Sequence, residues 1–275
     1  MNLYMSDLDG TLLNSDGELS PYTISILNDL PKNKINFSVA TARTPATVVP
    51  ILSEVNISLP IVVMNGAAIY DLDSNKYIAY NSIPKETTSE ILSVLSNNSI
   101  SGFCYTINND HLTAYYDKIT NTAQENFLKS RTGSPLKTFK NAPLPEDTNV
   151  LYFFLMDNEN TIMDTYNNIK HIKGLYCVAY EDVYNPNVYT LEIYSEKSSK
   201  ANAIKVIMDK FNFNNLTSFG DNLNDLPMFE LSDECFAVEN ATDKLKSIST
   251  SVICSNVDNG VAKYLKEICE KKESL

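Results

Sequence analysis

The chain has 275 residues, 43% of them apolar and 20% charged, which is ordinary globular composition and excludes disorder, collagen and long coiled coil. Lys and Arg number 22 against 34 Asp and Glu, a net charge of −12, so nucleic acid and anionic membrane surfaces are repelled and neither is an expected partner. The five cysteines are scattered and form no Cys-x-x-Cys pair, which excludes a disulfide framework and a zinc ribbon.

Met1 to Asp7 meets an acidic residue too soon for a signal peptide. No apolar run approaches the ~18 residues of a membrane span. The expectation is a soluble, cytoplasmic protein.

The predicted elements alternate. Leu3 to Met5 reads as a short strand, and Ser20-Pro21 opens a helix with Ile24, Leu27 and Leu30 on one face. Ile35, Phe37 and Val39 alternate as a strand, Pro45 opens a second helix, and Ile61 to Met64 is an apolar strand before Asn65-Gly66. That is βαβαβ, the signature of a parallel sheet with right-handed crossovers.

The texture then changes. Hairpin turns are predicted at Asp73-Ser74-Asn75 and Asn108-Asn109-Asp110, with residues 81–84 as a linker. Helices are predicted near 85–96, 118–130 and 161–172, with strands at 150–156 and 176–180. From Tyr189 the parallel texture returns, with a helix over 198–211 and a strand at 216–219. Further elements alternate to a closing helix near 260–271. The expected fold is α/β: a Rossmann-like parallel-sheet core domain, residues 1–82 and 187–275, interrupted by an inserted α+β domain, residues 83–186.

Open parallel sheets bind ligands beyond the carboxyl ends of their strands. The first predicted strand is followed there by Asp7-Leu8-Asp9-Gly10-Thr11, and the next two by Thr41-Ala42-Arg43 and Asn65-Gly66. The helix near 198 carries Lys200, and the strand at 216–219 delivers Gly220-Asp221-Asn222-Leu223-Asn224-Asp225. Four carboxylates on one rim repel one another, and a divalent cation removes the conflict. Oxygen ligands without thiolates select Mg2+, which completes its shell with water and phosphate. A phosphate ester is the substrate class this implies. Gly10 and Gly220 permit close backbone approach.

Taken singly, these strings are bland: Asp-x-Asp is a common solvated turn, and a helix lysine is usually surface. Their order after successive strands makes the case. His111 and His171 read as surface residues, and the tyrosines mostly as sheet packing. Arg43 is read either as salt-bridging within the core or as reaching the substrate.

The chain resembles the haloacid dehalogenase superfamily of phosphatases, in the Cof-type branch with a large α/β cap. The resemblance runs from Met1 to about Lys266. Asp7-Leu8-Asp9-Gly10-Thr11 is similar to the first family motif, Thr41 to the second, Lys200 to the third, and Gly220 to Asp225 to the fourth. Lys197 is the rival for the third, and the sequence after Lys200 favours Lys200. Asn65-Gly66-Ala67, Glu239-Asn240-Ala241 and Asn259-Gly260-Val261-Ala262 resemble shorter strings of the branch. Ala42 and Ala201 stand where Gly is usual.

The resemblance implies a Mg2+-dependent phosphatase for small phosphorylated metabolites such as sugar phosphates. Asp7 is then the nucleophile and Asp9 the general acid and base. Leu8, Thr41, Ala42, Arg43, Asn65, Lys200 and Asn224 hold phosphate or substrate. Asp7, Asp9 (through its carbonyl) and Asp221 hold the metal, and Asp225 orients Asp221 or Lys200. The inserted domain is then a cap that excludes polymers. A phosphomutase or phosphotransferase on the same scaffold remains open, as does a non-catalytic metabolite sensor, which the presence of Asp7 and Asp9 disfavours.

Overall fold

Asn2–Ser6 has an apolar centre, Leu3 to Met5, and is buried from Leu3 to Ser6, as suits a central parallel strand. It pairs in parallel with Asn36–Val39 on one side and Asn215–Gly220 on the other. Glu234–Val238 and Ser251–Ile253 extend this five-stranded parallel sheet. A single parallel bridge, Ala40 to Val62, brings Ile61–Val63 alongside the sheet. That strand then turns antiparallel to Ala68–Asp71, which leads to Lys76–Tyr80. The computed structural model describes residues 1–182 and 185–273. Val183, Tyr184, Ser274 and Leu275, which the expected domain ranges include, lie outside the described residues.

The helices of this unit are capped as the sequence indicates. Ser20 accepts the Thr23 N–H at the start of Pro21–Asp29, and Ser199 accepts the Asn202 N–H at the start of Lys200–Phe211. Tyr264, on Gly260–Glu273, packs its ring against Phe219 and Phe236 of the sheet.

The chain divides into one compact unit of Met1–Ala79 with Ser199–Leu275 and a second of Tyr80–Ser198. The second unit has its own six-stranded sheet. Its order is Leu175–Glu181, Tyr189–Ser195, Val150–Asp157, Phe103–Asn108, His111–Tyr116 and Lys137–Asn141. Only the last pair is parallel. Lys85–Asn97 and Glu159–Ile169 bury Ile91, Leu95, Ile162 and Ile169 in one core with Cys104, Phe153, Leu155, Leu191 and Ile193. Tyr152 stacks between Tyr105 and Tyr194, with centroids 4.3 and 5.0 Å away.

The structure departs from two sequence expectations and adds one strand. Tyr189–Ser195, read as part of the returning parallel core, is an antiparallel strand of the second sheet. Its apolar residues suit either sheet, and hydrogen-bond partners decide between them. Ile83, read as linker, is buried and bridges Val150. Lys137–Asn141 is a strand that the sequence reading leaves out, because its alternation is short and polar. Among the described residues, no helix is long and apolar enough to cross a membrane.

Candidate active site

The carboxyl ends of the core strands bring the expected residues to one rim. Asp7 follows the first strand directly, and its N–H continues the ladder onto the Phe219 carbonyl at 3.0 Å. Lys200 is the first residue of its helix and is only 2% exposed. Its ammonium donates to Asp7 Oδ1 and to Asp225 Oδ1, the latter at 2.7 Å. Lys197, the rival lysine, is exposed and belongs to the other unit.

Asp225 is fully buried and fully engaged. Its second oxygen accepts the N–H groups of Asp221 and Asn222, at 3.0 and 3.1 Å. The carboxylate therefore folds back over the turn that carries Asp221. Gly220 makes this possible, because a Cβ there would lie 2.7 Å from Asp225 Oδ2. Asp221 in turn accepts the Thr11 hydroxyl at 3.0 Å and packs on Gly10. A Cβ on Gly10 would lie 2.5 Å from Asp221 Oδ2, and its φ of +76° is strained for any other residue.

Carboxylate oxygens of Asp7, Asp221 and Asp225 all lie within 4.8 Å of one another. One ammonium does not balance three carboxylates. Burial pushes the Asp7 carboxyl well up, Lys200 pulls it down, and Asp225 and Asp221 add to the rise. Burial and the charge of Asp225 push Asp221 up to about 6, against the Thr11 hydroxyl and Lys200. Burial opposes the charge on Lys200, but Asp225 and Asp7 outweigh it and raise its pKa. A crowded set of hard oxygen donors with excess negative charge fits a small divalent cation such as Mg2+.

The loop after the second strand is tied to the third. Thr41 is buried, and its hydroxyl accepts the Arg43 N–H at 3.1 Å. The Met64 and Asn65 N–H groups bond the carbonyls of Arg43 and Thr41, each at 3.0 Å. Met64 and Asn65 are both left-handed, with φ of 52° and 53°. Asn tolerates this conformation; buried Met64 does not, and such strain concentrates at functional sites. The turn aims Asn65 at Asn224, whose amide lies 3.4 Å from Asn65 Oδ1.

Asp9 stands apart from the three clustered carboxylates. Arg43 grips it with Nε and Nη2, at 2.8 and 2.6 Å. Arg43 therefore makes a salt bridge, but at the half-exposed rim and not within the core. Ala42 is exposed at the rim, whereas the Leu8 side chain is buried in the core. The sequence reading assigns no role to Thr11, although it quotes it within the first motif. It also gives no role to Asn240, whose amide donates to the Gly10 carbonyl at 2.7 Å.

The sequence profile of the haloacid dehalogenase-like hydrolases matches residues 4–265. A putative phosphatase of Buchnera aphidicola is 30% identical, covering 97% of this chain and 98% of its own. The 5-amino-6-(5-phospho-D-ribitylamino)uracil phosphatase YwtE of Bacillus subtilis is 27% identical, covering 95% and 96%. Among solved structures, a HAD subclass IIB sugar phosphatase superposes with a TM-score of 0.74 at 18% identity, covering 98% and 99%. The chain belongs to the haloacid dehalogenase-like hydrolase family. The expected class, a phosphatase on an α/β fold with a parallel-sheet core and an additional cap sheet, is borne out.

Proposed function

We propose that this hydrolase cleaves small phosphomonoesters, sugar or polyol phosphates in particular, with Mg2+ and through an aspartyl-phosphate on Asp7. The observation that carries the reading is the buried Lys200 ammonium between Asp7 and Asp225, beside Asp221. Lys200 pairs with the carboxylate that would serve as the nucleophile and so restrains its orientation. The ribityl phosphate named for the Bacillus subtilis relative supports the substrate class.

An Asp7 oxygen attacks phosphorus while the bond to the leaving oxygen breaks, and Asp9 delivers a proton to that oxygen. Asp9 then takes a proton from water as the water oxygen bonds phosphorus. The bond to Asp7 breaks and inorganic phosphate leaves. Thr41, Asn65, Asn224, Lys200 and the amides of Leu8 and Ala42 hold the phosphoryl oxygens, where donors stabilise moving charge. Arg43 contributes through Asp9 or by exchanging Asp9 for substrate.

Asp7, Asp221 and the Asp9 carbonyl would hold Mg2+, which supplies neutralisation of the phosphoryl charge. Tyr80–Ser198 serves as the cap. The five free cysteines accord with a reducing, cytoplasmic setting.

A hydrolysis screen over phosphorylated metabolites, with Mg2+ and with EDTA, tests the reading. Phosphate release from sugar or polyol phosphates that requires Mg2+ supports it. No release from any monoester, or release unaffected by EDTA, overturns it.

A further inference from the structure

The turn that follows Asp9 is held from outside by two asparagines far away in sequence. Asn240 donates from Nδ2 to the Gly10 carbonyl at 2.7 Å. Asn256 donates from Nδ2 to the Leu13 carbonyl at 2.8 Å. The two are joined, since Asn240 Oδ1 accepts the Asn256 N–H at 3.1 Å and the Ser255 hydroxyl at 3.1 Å. The Asn256 N–H, which can only donate, fixes which end of the Asn240 amide is oxygen, and so directs its NH2 toward Gly10.

What the pair grips is a turn already organised around one atom. The N–H groups of Thr11, Leu12 and Leu13 converge on the Leu8 carbonyl, at 3.2, 3.0 and 2.9 Å. The Thr11 hydroxyl bonds Asp221, and the Thr242 N–H bonds the Asp221 carbonyl at 2.9 Å. The segment carrying Asn240 therefore touches both the turn after Asp9 and the backbone of Asp221. Asn240 is itself exposed. Hydrogen bonds made at the surface add little net stability, so this bond is poorly explained as support for the core.

We propose that Asn240 and Asn256 are positioning residues, a clamp that sets the Gly10–Thr11 peptide plane and with it the placement of Asp9 and Asp221. The inference rests on the roles given to Asp9 and Asp221 above. Releasing Gly10 lets its peptide rotate. Asp9 is one residue away, and displacements of about 1 Å at a reacting group cost about a hundredfold in rate.

The test uses the full chain with Asn240→Ala, Asn240→Asp and Asn256→Ala. The Asp variant keeps the shape and the acceptor but cannot donate to the Gly10 carbonyl when ionised. Two readouts are taken: steady-state hydrolysis of a phosphomonoester that the parent accepts, and amide hydrogen exchange of the peptide covering residues 8–13. The clamp predicts a kcat lower by about tenfold or more in both Asn240 variants, with KM within about threefold. It also predicts, in both Asn240 variants, faster exchange confined to residues 8–13 and an almost unchanged melting point. Asn256→Ala should show the same local exchange with a lower melting point, because its buried bond to Leu13 is lost.

Unchanged exchange over residues 8–13 overturns the clamp, whatever the activity. So does a kcat within about twofold of the parent, or a loss of kcat matched by general unfolding. A parent that hydrolyses no phosphomonoester overturns the functional reading instead, and exchange alone then decides whether the clamp exists.

Discussion

Arg43 binds both carboxylate oxygens of Asp9, Nε to Oδ2 at 2.8 Å and Nη2 to Oδ1 at 2.6 Å, across 34 residues of sequence. Forked pairs of this kind are geometrically specific, and a lysine cannot reproduce them. Each Asp9 oxygen keeps a second lone-pair site while Arg43 occupies the first, so the pair orients the carboxylate without closing it to a leaving group or a water. The side chains are 25% and 47% exposed. At such sites an ion pair contributes about 1 kcal/mol or less to stability.

Replacing Arg43 should therefore affect turnover more than folding. Arg43→Lys and Arg43→Met are expected to lower kcat/KM by about tenfold to a hundredfold, a fraction of the 10²–10⁴ that acid–base catalysis supplies. The melting point should move little. The loss should be larger for alkyl phosphates than for p-nitrophenyl phosphate, whose leaving group needs little protonation. Equal losses on both would detach Arg43 from the function of Asp9.

Asp7→Asn keeps size and removes the attacking oxygen anion. Turnover is expected to fall by several orders of magnitude, since neutral amides do not form the acyl phosphate. The fold should survive, because burial already disfavours the Asp7 charge. Circular dichroism and a phosphate-release assay decide it; a variant with a tenth of the parent rate would exclude Asp7 as nucleophile.

Lys200 is the central compensating charge of the cluster. Lys200→Met leaves Asp7 and Asp225 buried together, and breaking a buried pair costs about 3–5 kcal/mol. The loss should be greater at pH 8 than at pH 5, because burial raises the Asp7 carboxyl and a lower pH favours the neutral form that relieves the repulsion. Denaturant unfolding in EDTA at the two pH values measures this. A variant as stable as the parent at pH 8 would contradict the compensating role.

Asp221 carries the clearest pH dependence. Its carboxyl is raised from 3.8 to about 6, so the metal-free folded state holds the proton more tightly than the unfolded chain does. Its contribution is favourable below about pH 4 and is lost as pH rises through about 6, an amount of roughly 3 kcal/mol at 1.36 per unit. In EDTA, the parent should therefore lose stability relative to Asp221→Asn between pH 4 and 7. Free Mg2+ at about 100 times its dissociation constant should restore about 2.7 kcal/mol to the parent, and much less to the variant. Melts that run parallel across pH, or equal gains from Mg2+, would remove Asp221 from the metal site.

The strings that end at the rim were legible because their chemistry is local. Asp7-Leu8-Asp9-Gly10-Thr11 and Gly220 to Asp225 each follow an apolar strand, and a parallel sheet sends all such ends to one side. The lysine was legible too, since the capped helix after Ser199 presents Lys200 in its first turn. Other features depend on partners that no local pattern names. The apolar residues of Tyr189–Ser195 suit a parallel or an antiparallel neighbour equally, and only pairing with Val150–Asp157 and Leu175–Glu181 assigns the strand. Arg43 had two plausible partners until the turn after the first strand brought Asp9 within reach. Asn240 has no chemistry of its own, and its meaning comes from a carbonyl 230 residues earlier. Hydrophobic periodicity and short motifs encode which elements form. Hydrogen-bond direction and charge pairing between distant segments arise only once the chain has packed.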